Sequence, residues 1–319
     1  MKTSTDLVLS APRAVPLLRR TLNGATMGTR FSAIFYAPAT LPTDAVAAKL
    51  VAAVDRVDRQ MSLWKPESDL NRLNAAPVGA WVTIPRELMQ VLAEALKVGR
   101  ATNGAFDIGV GDLVAAWGFG PARRQPDPVQ IAALGGAPRA VTTQALQLDV
   151  VTGRARKTAS LSLDLSGIAK GFGVDEMARV MDACAIPSWL VGIDGEMRAH
   201  GLKPDGEPWA VAHERPGRHS REAMGVIELT DLAVATSGNY RHWVEMDSRT
   251  LSHTMHPAAG TPVDNSVASV TVLAPSCMQA DAWATALLVL GAEAGLARAE
   301  TSAMGAIFVF SDGTMKSTI

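Results

Sequence analysis

The chain has 319 residues and a mass of 33.6 kDa, enough to bury a substantial core in one large domain or two closely joined ones. Hydrophobic residues make up 48% and charged residues 19%, which excludes a disordered or collagenous chain. A formal net charge of -1 and a pI near 6.6 exclude a general nucleic-acid binder, which needs basic stripes to displace phosphate counterions.

Residues 1–22 carry Thr, Ser, Pro and Arg without a period and read as a flexible N-terminal arm, with the folded body over 23–319. Arg19-Arg20 is followed by Thr21-Leu22-Asn23-Gly24, too polar for a twin-arginine signal core, and there is no apolar run of about 18 residues and no lipidation cysteine. The expectation is a cytoplasmic chain that does not insert into a membrane. From Thr26 to Tyr36, Phe31, Ala33 and Phe35 alternate with more polar residues, the period of a half-buried strand. Over Thr43 to Ser62 the spacing of Leu50, Val54, Val57 and Met61 predicts a helix with one buried stripe. A second helix is expected from Pro85 through Leu88, Val91, Leu92 and Ala95 to a stop at Asn103-Gly104. The Gly-, Pro- and Arg-rich stretch 118–136 reads as a surface excursion and a candidate boundary between two lobes. Beyond it, short strands are expected near 145–150, 160–165, 188–193, 207–213, 232–236, 267–274 and 304–310, with helices near 167–184 and 278–299. That mixture predicts an α+β fold class, with mixed sheets and packed helices. The two cysteines, Cys184 and Cys277, lie far apart and read as small core residues.

Three segments carry chemistry. In the helix that follows Met278, Asp281 and Thr285 are the polar exceptions on an otherwise apolar rod, and residues four apart project from one face. A carboxylate and a hydroxyl so placed suit magnesium, a hard cation that takes one or two protein carboxylates while phosphates and waters complete its shell. The same spacing equally suits an acid favouring the helix dipole and a threonine bonding back to a carbonyl. The second segment, Asp164-Leu-Ser-Gly167-Ile-Ala-Lys170-Gly171-Phe-Gly173, resembles a strand-loop-helix phosphate site: glycine admits close backbone approach, a helix start offers N–H donors, and Lys170 offers charge. It matches neither the Walker A nor the GxGxxG pattern, and a plain helix entry with a surface lysine reads the same residues. The third segment runs from Ala235-Thr-Ser237-Gly238-Asn239-Tyr240-Arg241 to Leu251-Ser252-His253-Thr-Met-His256-Pro257-Ala-Ala-Gly260. A histidine here can shuttle a proton, orient a phosphate or simply pack. Zinc is not expected, because no cysteine or third histidine is spaced to complete a tetrahedral site and Pro257 ends any helix bearing the pair.

Together with Thr26-Met27-Gly28-Thr29, Met61-Ser-Leu-Trp64-Lys-Pro-Glu-Ser-Asp-Leu-Asn71-Arg-Leu-Asn74, Gly104-Ala105-Phe106-Asp107-Ile-Gly-Val-Gly111 and Trp117-Gly-Phe-Gly120, these segments resemble the FAD:protein FMN transferase family, also called ApbE, in order and over most of the chain from Gly24 to Leu290. The resemblance implies a T-fold-related α+β architecture that holds FAD as substrate, with Mg2+ bridging its pyrophosphate. It implies transfer of FMN to a threonine or serine hydroxyl of an acceptor flavoprotein as AMP leaves. By resemblance Asp281, Thr285 and the Gly167 carbonyl are magnesium ligands, and Asp164, Lys170, Met27, Trp64, Ala105, Phe106, Asp107 and Ser237 contact the flavin nucleotide. His253 matches a histidine implicated in transfer. A positioned imidazole accepting the hydroxyl proton fits that role, since phosphoryl transfer asks mainly for charge neutralisation and in-line placement.

The chain departs from the family pattern in three places. His256-Pro-Ala258-Ala259-Gly260 stands where Asp-Pro-Arg-Thr-Gly is common, Asp194-Gly195 stands where a Gly-Gly pair is usual, and the export signal of many members is not visible. Two other readings of the site remain at this point: hydrolysis of FAD to FMN and AMP, and flavin binding or assembly without turnover.

Overall fold

The computed structural model describes residues 16–121, 125–135, 139–217, 222–239, 243–246 and 249–319. The chain enters through a hairpin, β1 (Leu17–Thr26) and β2 (Thr29–Pro38), closed by the two residues Met27 and Gly28. Both turn residues take positive φ, 47° and 72°, as a tight hairpin turn requires. Next come α1 (Thr43–Met61), α2 (Asp69–Ala75), β3 (Val82–Thr83), α3 (Arg86–Ala101), α4 (Gly111–Ala116), α5 (Pro128–Gly135), α6 (Thr142–Ala145), β4 (Leu146–Asp149) and β5 (Arg154–Lys157). The long helix α7 (Ala169–Ala183) leads into β6 (Ser188–Ile193), β7 (Glu196–His200), β8 (Trp209–Glu214), β9 (Ala223–Leu229) and β10 (Ala233–Gly238). Four short strands follow, β11 (Trp243–Met246), β12 (Arg249–Ser252), β13 (Met255–His256) and β14 (Thr261–Pro262). The chain closes with β15 (Val267–Ala274), α8 (Cys277–Thr301), β16 (Gly305–Phe310) and β17 (Met315–Ser317).

Eight strands build one sheet in the order β1-β2-β6-β7-β10-β15-β16-β17, each pair antiparallel. Alternation divides its two faces. Phe31, Ala33 and Phe35 of β2, Trp189, Val191 and Ile193 of β6 and Val270 and Val272 of β15 point toward α1, α7 and α8 and form the main core. Ile34, Leu190, Val234 and Leu273 point the other way, where the β8–β9 ribbon covers them with Trp209 and Leu229. Each large apolar side chain so buried contributes about 1.5–3 kcal/mol. Helices thus pack on one face of the large sheet and a ribbon on the other, an α+β arrangement.

The strands expected at 188–193 and 267–274 stand at those bounds, and α3 stops at Asn103-Gly104, where Gly104 N–H donates to the Gly99 carbonyl at 2.8 Å. Four expectations need correction. Residues 17–22, expected in the arm, are the first six of the ten residues of β1, while 1–15 lie outside the described residues. The strand expected from Thr26 to Tyr36 is present as β2 and begins later, at Thr29, because Thr26 ends β1 and Met27-Gly28 form the hairpin turn. Residues 160–165 form no strand, because their backbone groups are taken by another loop and by an asparagine side chain. The helix expected at 278–299 is broken at Gly291, whose φ of 76° and ψ of -168° only glycine adopts readily, and Asn265 Nδ2 donates to the Leu288 carbonyl beside the break at 2.9 Å. Of the excursion, 122–124 and 136 lie outside the described residues; the rest holds α5, whose Ile131 and Leu134 join Leu113, Trp117 and Met255 in a small separate cluster. By length and composition α8 passes for a membrane span, but it lies against α7, β10 and β15 within the core.

Candidate active site

The site begins where α7 and α8 touch. A Cβ at Gly171 would stand 2.3 Å from the Cys277 carbonyl oxygen and 2.8 Å from Asp281 Cβ, so only glycine lets the helices approach this closely. At Gly167 the corresponding position is 3.0 Å from Thr285 Oγ1. Two glycines four apart therefore face two oxygen-bearing side chains four apart, with the helices antiparallel. The closeness has a polar consequence. Ile168 gives α7 no side-chain cap, and Asp281 Oδ2 instead accepts the Gly171 N–H at 2.9 Å. In return Asp175 of α7 accepts from Cys277 N and Met278 N at the start of α8, at 3.0 and 2.9 Å. Thr285 does not bond back along its own helix; its Oγ1 lies 2.9 Å from Ser237 Oγ on β10.

Charge is concentrated at this seam. Asp281 is 3% exposed. Burial first, and then the Glu196 carboxylate, push it up to about 7, against the opposing pull of Lys170 and the Gly171 N–H. Lys170 Nζ donates to Glu196 Oε1 at 2.8 Å and lies 3.8 Å from Asp194 Oδ2. Burial alone would lower the Lys170 ammonium, but Glu196, Asp281 and Asp194 outweigh it and hold it above the usual lysine range. Glu196, buried at the start of β7, leaves its Oε2 without a hydrogen-bond partner. Cys277, fully buried beside these acids, is pushed well above the usual thiol range by burial first and then by Asp175, Glu196 and Asp281, and packs as an inert core residue.

Two loops wall the seam. Phe106 is buried, with Cε2 3.4 Å from the Gly167 Cβ position. Its loop, which includes Ala105, is braced by Asp107, which accepts from Gly109 N at 2.7 Å and Thr142 N at 3.2 Å. That loop pairs with the next wall through Asp164 N to the Ile108 carbonyl at 2.7 Å and Gly111 N to the Ser162 carbonyl at 2.9 Å. Asn74 grips Leu163 on both backbone groups, accepting its N–H at 2.8 Å and donating to its carbonyl at 2.9 Å. Asp164 itself accepts from Ser166 N at 2.7 Å, and burial raises its carboxyl above the usual range. Met27, in the hairpin turn, rests on the seam's far side, with Cε 3.1 Å from the Gly173 Cβ position. Trp64 is 58% exposed on a loop that Asn71 holds through the Leu63 and Lys65 carbonyls, at 3.1 and 2.9 Å.

His253 stands apart from the seam, on the turn between β12 and β13, edge-on to Phe119 with ring centroids 6.3 Å apart. The following turn rests on the small cluster through Trp117 Nε1, which donates to the Gly260 carbonyl at 3.2 Å. His256 Nδ1 accepts the Ala259 N–H at 3.2 Å, the bond a carboxylate at this position would make.

Gly167, Lys170, Asp281, Thr285, Ser237 and Phe106 thus meet directly or through one intermediate. Asp107, Asp164 and Met27 flank them, while Trp64, Ala105 and His253 stand outside that set of contacts. Tyr240 and Arg241, part of the third segment, lie outside the described residues. Sequence reading missed Glu196, Asp175, Asn71 and Asn74. The two asparagines were legible only as part of a motif, and Glu196 looks from sequence like an ordinary residue after a hairpin turn. Among the described residues no three His, Cys, Asp or Glu side chains converge to hold a metal unaided. A cation here would draw on hydroxyl, carbonyl and phosphate oxygens besides Asp281, and that all-oxygen set with a buried, incompletely balanced carboxylate suits magnesium.

Residues 27–308 match the model of the ApbE family. An FAD:protein FMN transferase of Vibrio cholerae is 37% identical over 306 residues, covering 95% of this chain and 91% of that protein. Another from Klebsiella pneumoniae is 34% identical, covering 85% and 79%. Among solved structures, the flavin transferase ApbE from Vibrio cholerae superposes with a TM-score of 0.84 at 33% identity, over 95% of this chain and 97% of that one. The apo form of Pseudomonas stutzeri flavinyl transferase ApbE gives 0.83 at 32% identity, over 96% and 97%.

Proposed function

The chain belongs to the ApbE family, and from that premise we propose that it is an FAD:protein FMN transferase, moving the FMN half of FAD onto a threonine or serine hydroxyl of an acceptor flavoprotein and releasing AMP. The α7–α8 seam carries the reading: it sets the Asp281 carboxylate, the Thr285 hydroxyl and Gly167 together at the start of a helix, beside the ammonium of Lys170. Asp281, Thr285 and the Gly167 carbonyl would hold Mg2+, which when bound neutralises pyrophosphate charge and polarises the phosphorus under attack. Lys170 binds a phosphate oxygen, and the early N–H groups of α7 favour the same anion. Phe106, Met27 and the loops at 105–111 and 161–167 orient the nucleotide and exclude water. The acceptor oxygen forms a bond to the FMN phosphorus, the bond to the AMP oxygen breaks, and His253 takes the hydroxyl proton.

Hydrolysis would use the same groups with water as nucleophile. A reading without turnover would rest on the altered 256–259 stretch, where the His256–Ala259 bond keeps the turn closed. Incubation with FAD, Mg2+ and candidate acceptor flavoproteins separates all three. Flavin fluorescence that survives denaturation on the acceptor, with an equal amount of AMP, is the expected result. AMP with free FMN would identify a hydrolase, and neither product would identify a binder.

A further inference from the structure

The candidate cation ligand and the candidate base lie on different parts of the chain, and the end of β10 joins them. Ser237 Oγ meets Thr285 Oγ1 at 2.9 Å. Two residues on, Asn239 engages its backbone N–H and both polar atoms of its side chain. Its backbone N–H donates to the Ala268 carbonyl at 3.0 Å and its Nδ2 to the Val267 carbonyl at 3.1 Å, which pin it to β15. Its Oδ1 accepts from Ser252 Oγ at 2.6 Å. Ser252, only 5% exposed, passes the restraint on: its Oγ also accepts the Thr254 N–H at 3.1 Å. Thr254 in turn accepts the Val263 N–H at 2.8 Å. His253 is the residue enclosed by this bracket, with Ser252 bonded on one side of it and Thr254 on the other.

We propose that Asn239 and Ser252 are positioning residues for transfer, holding the His253 turn at a set offset from the Thr285 oxygen through the end of β10. Two residues of extended chain span about 7 Å, so the Thr285 contact and the Asn239 contact sit on one short stretch at the end of β10. Ser252 is suited to the task because its one hydroxyl donates to Asn239 and accepts from Thr254 at once, so its loss releases the turn from the sheet without touching the nucleotide's binding groups. The proposal rests on His253 as proton acceptor in the reaction given above.

The test is a cycle between Ser252 and His253, measured with FAD, Mg2+ and the acceptor that the wild-type chain flavinylates, together with calorimetry of FAD alone. Ser252→Ala should lower kcat roughly ten- to a hundredfold, the cost of an ångström-scale misplacement, while the Kd for FAD stays within about twofold of wild type. Ser252→Thr, which keeps the hydroxyl, should recover most of the rate. In a His253→Ala background, Ser252→Ala should cost nothing further. An equal loss in both backgrounds, a parallel loss of FAD affinity, or an undiminished rate in Ser252→Ala would overturn the proposal. Full turnover in His253→Ala alone would instead remove the base assignment, and the proposal with it.

Discussion

Between α7 and α8, Gly167 and Gly171 meet Thr285 and Asp281 inside a buried seam, whereas His253 sits on a turn supported by the small cluster of Leu113, Trp117 and Met255. In the seam, position follows from volume: helices that touch at a glycine have no slack, and a carboxylate can cap the neighbouring helix only at that distance. On the turn, position follows from hydrogen bonds between side chains and backbone, at Ser252, His256 and Trp117. The first arrangement tolerates almost no exchange of residue, while the second tolerates any residue that supplies the same acceptor. Of the departures from the pattern that the chain resembles, His256-Pro-Ala-Ala lies on the turn, while Asp194 lies at the edge of the seam, 3.8 Å from the Lys170 ammonium, and replaces no seam glycine.

The contrast breaks if Gly171→Ala is harmless. Its methyl would meet the Cys277 carbonyl and Asp281, so we expect a loss of about 3 kcal/mol in thermal or urea unfolding, with cation-dependent AMP release lost as well. Lys170→Ala sharpens it by separating charge from packing. FAD affinity in calorimetry should fall by about 1–3 kcal/mol through loss of a charge-assisted phosphate contact, and an unchanged Kd would show that Glu196 and Asp194 are the ammonium's only business.

Much of the seam was legible because periodicity and glycine spacing report on packing. The strands at 188–193 and 267–274 stand out as apolar runs, and Asp281 and Thr285 interrupt an apolar helix at a spacing that only one face explains. The break at Gly291 was not legible, since one glycine in a helical pattern looks tolerable until Asn265 is known to fill the opened carbonyl. Nor was the 160–165 segment, whose Leu161-Ser-Leu163 alternation suggests a strand but whose hydrogen bonds go to Ile108 and Asn74. The bracket around His253 depends on Asn239 reaching Ser252 across thirteen positions, and no local pattern announces such a contact.

The sheet's opposite face provides a control outside both regions. His213 on β8 is buried against Thr271, its Nε2 3.2 Å from Oγ1, and burial lowers its pKa. The unfolded chain then binds the proton more readily, so stability is full above the unfolded histidine value near 6.5 and is lost as pH falls through the folded value. Unfolding midpoints measured from pH 7.5 downward should decline in wild type, and less steeply in His213→Gln. An identical decline in both would assign acid sensitivity elsewhere. The smallest effect is expected at the turn itself. His256→Asp supplies another acceptor for the Ala259 N–H and should leave FMN transfer within a few-fold of wild type, while a severe loss would give the imidazole a role beyond the turn.

The central claim is that the Asp281 carboxylate holds the cation on which FMN transfer depends. Asp281→Asn keeps the size of the side chain and an oxygen for the Gly171 N–H, and removes the charge. Mass spectrometry of the acceptor, run beside AMP quantification and a melting curve, is the direct measurement. The account predicts an acceptor carrying one FMN per AMP released by the wild-type chain, and in the variant a loss on the order of a thousandfold in both with the fold retained. Undiminished Mg2+-dependent labelling by Asp281→Asn would contradict it.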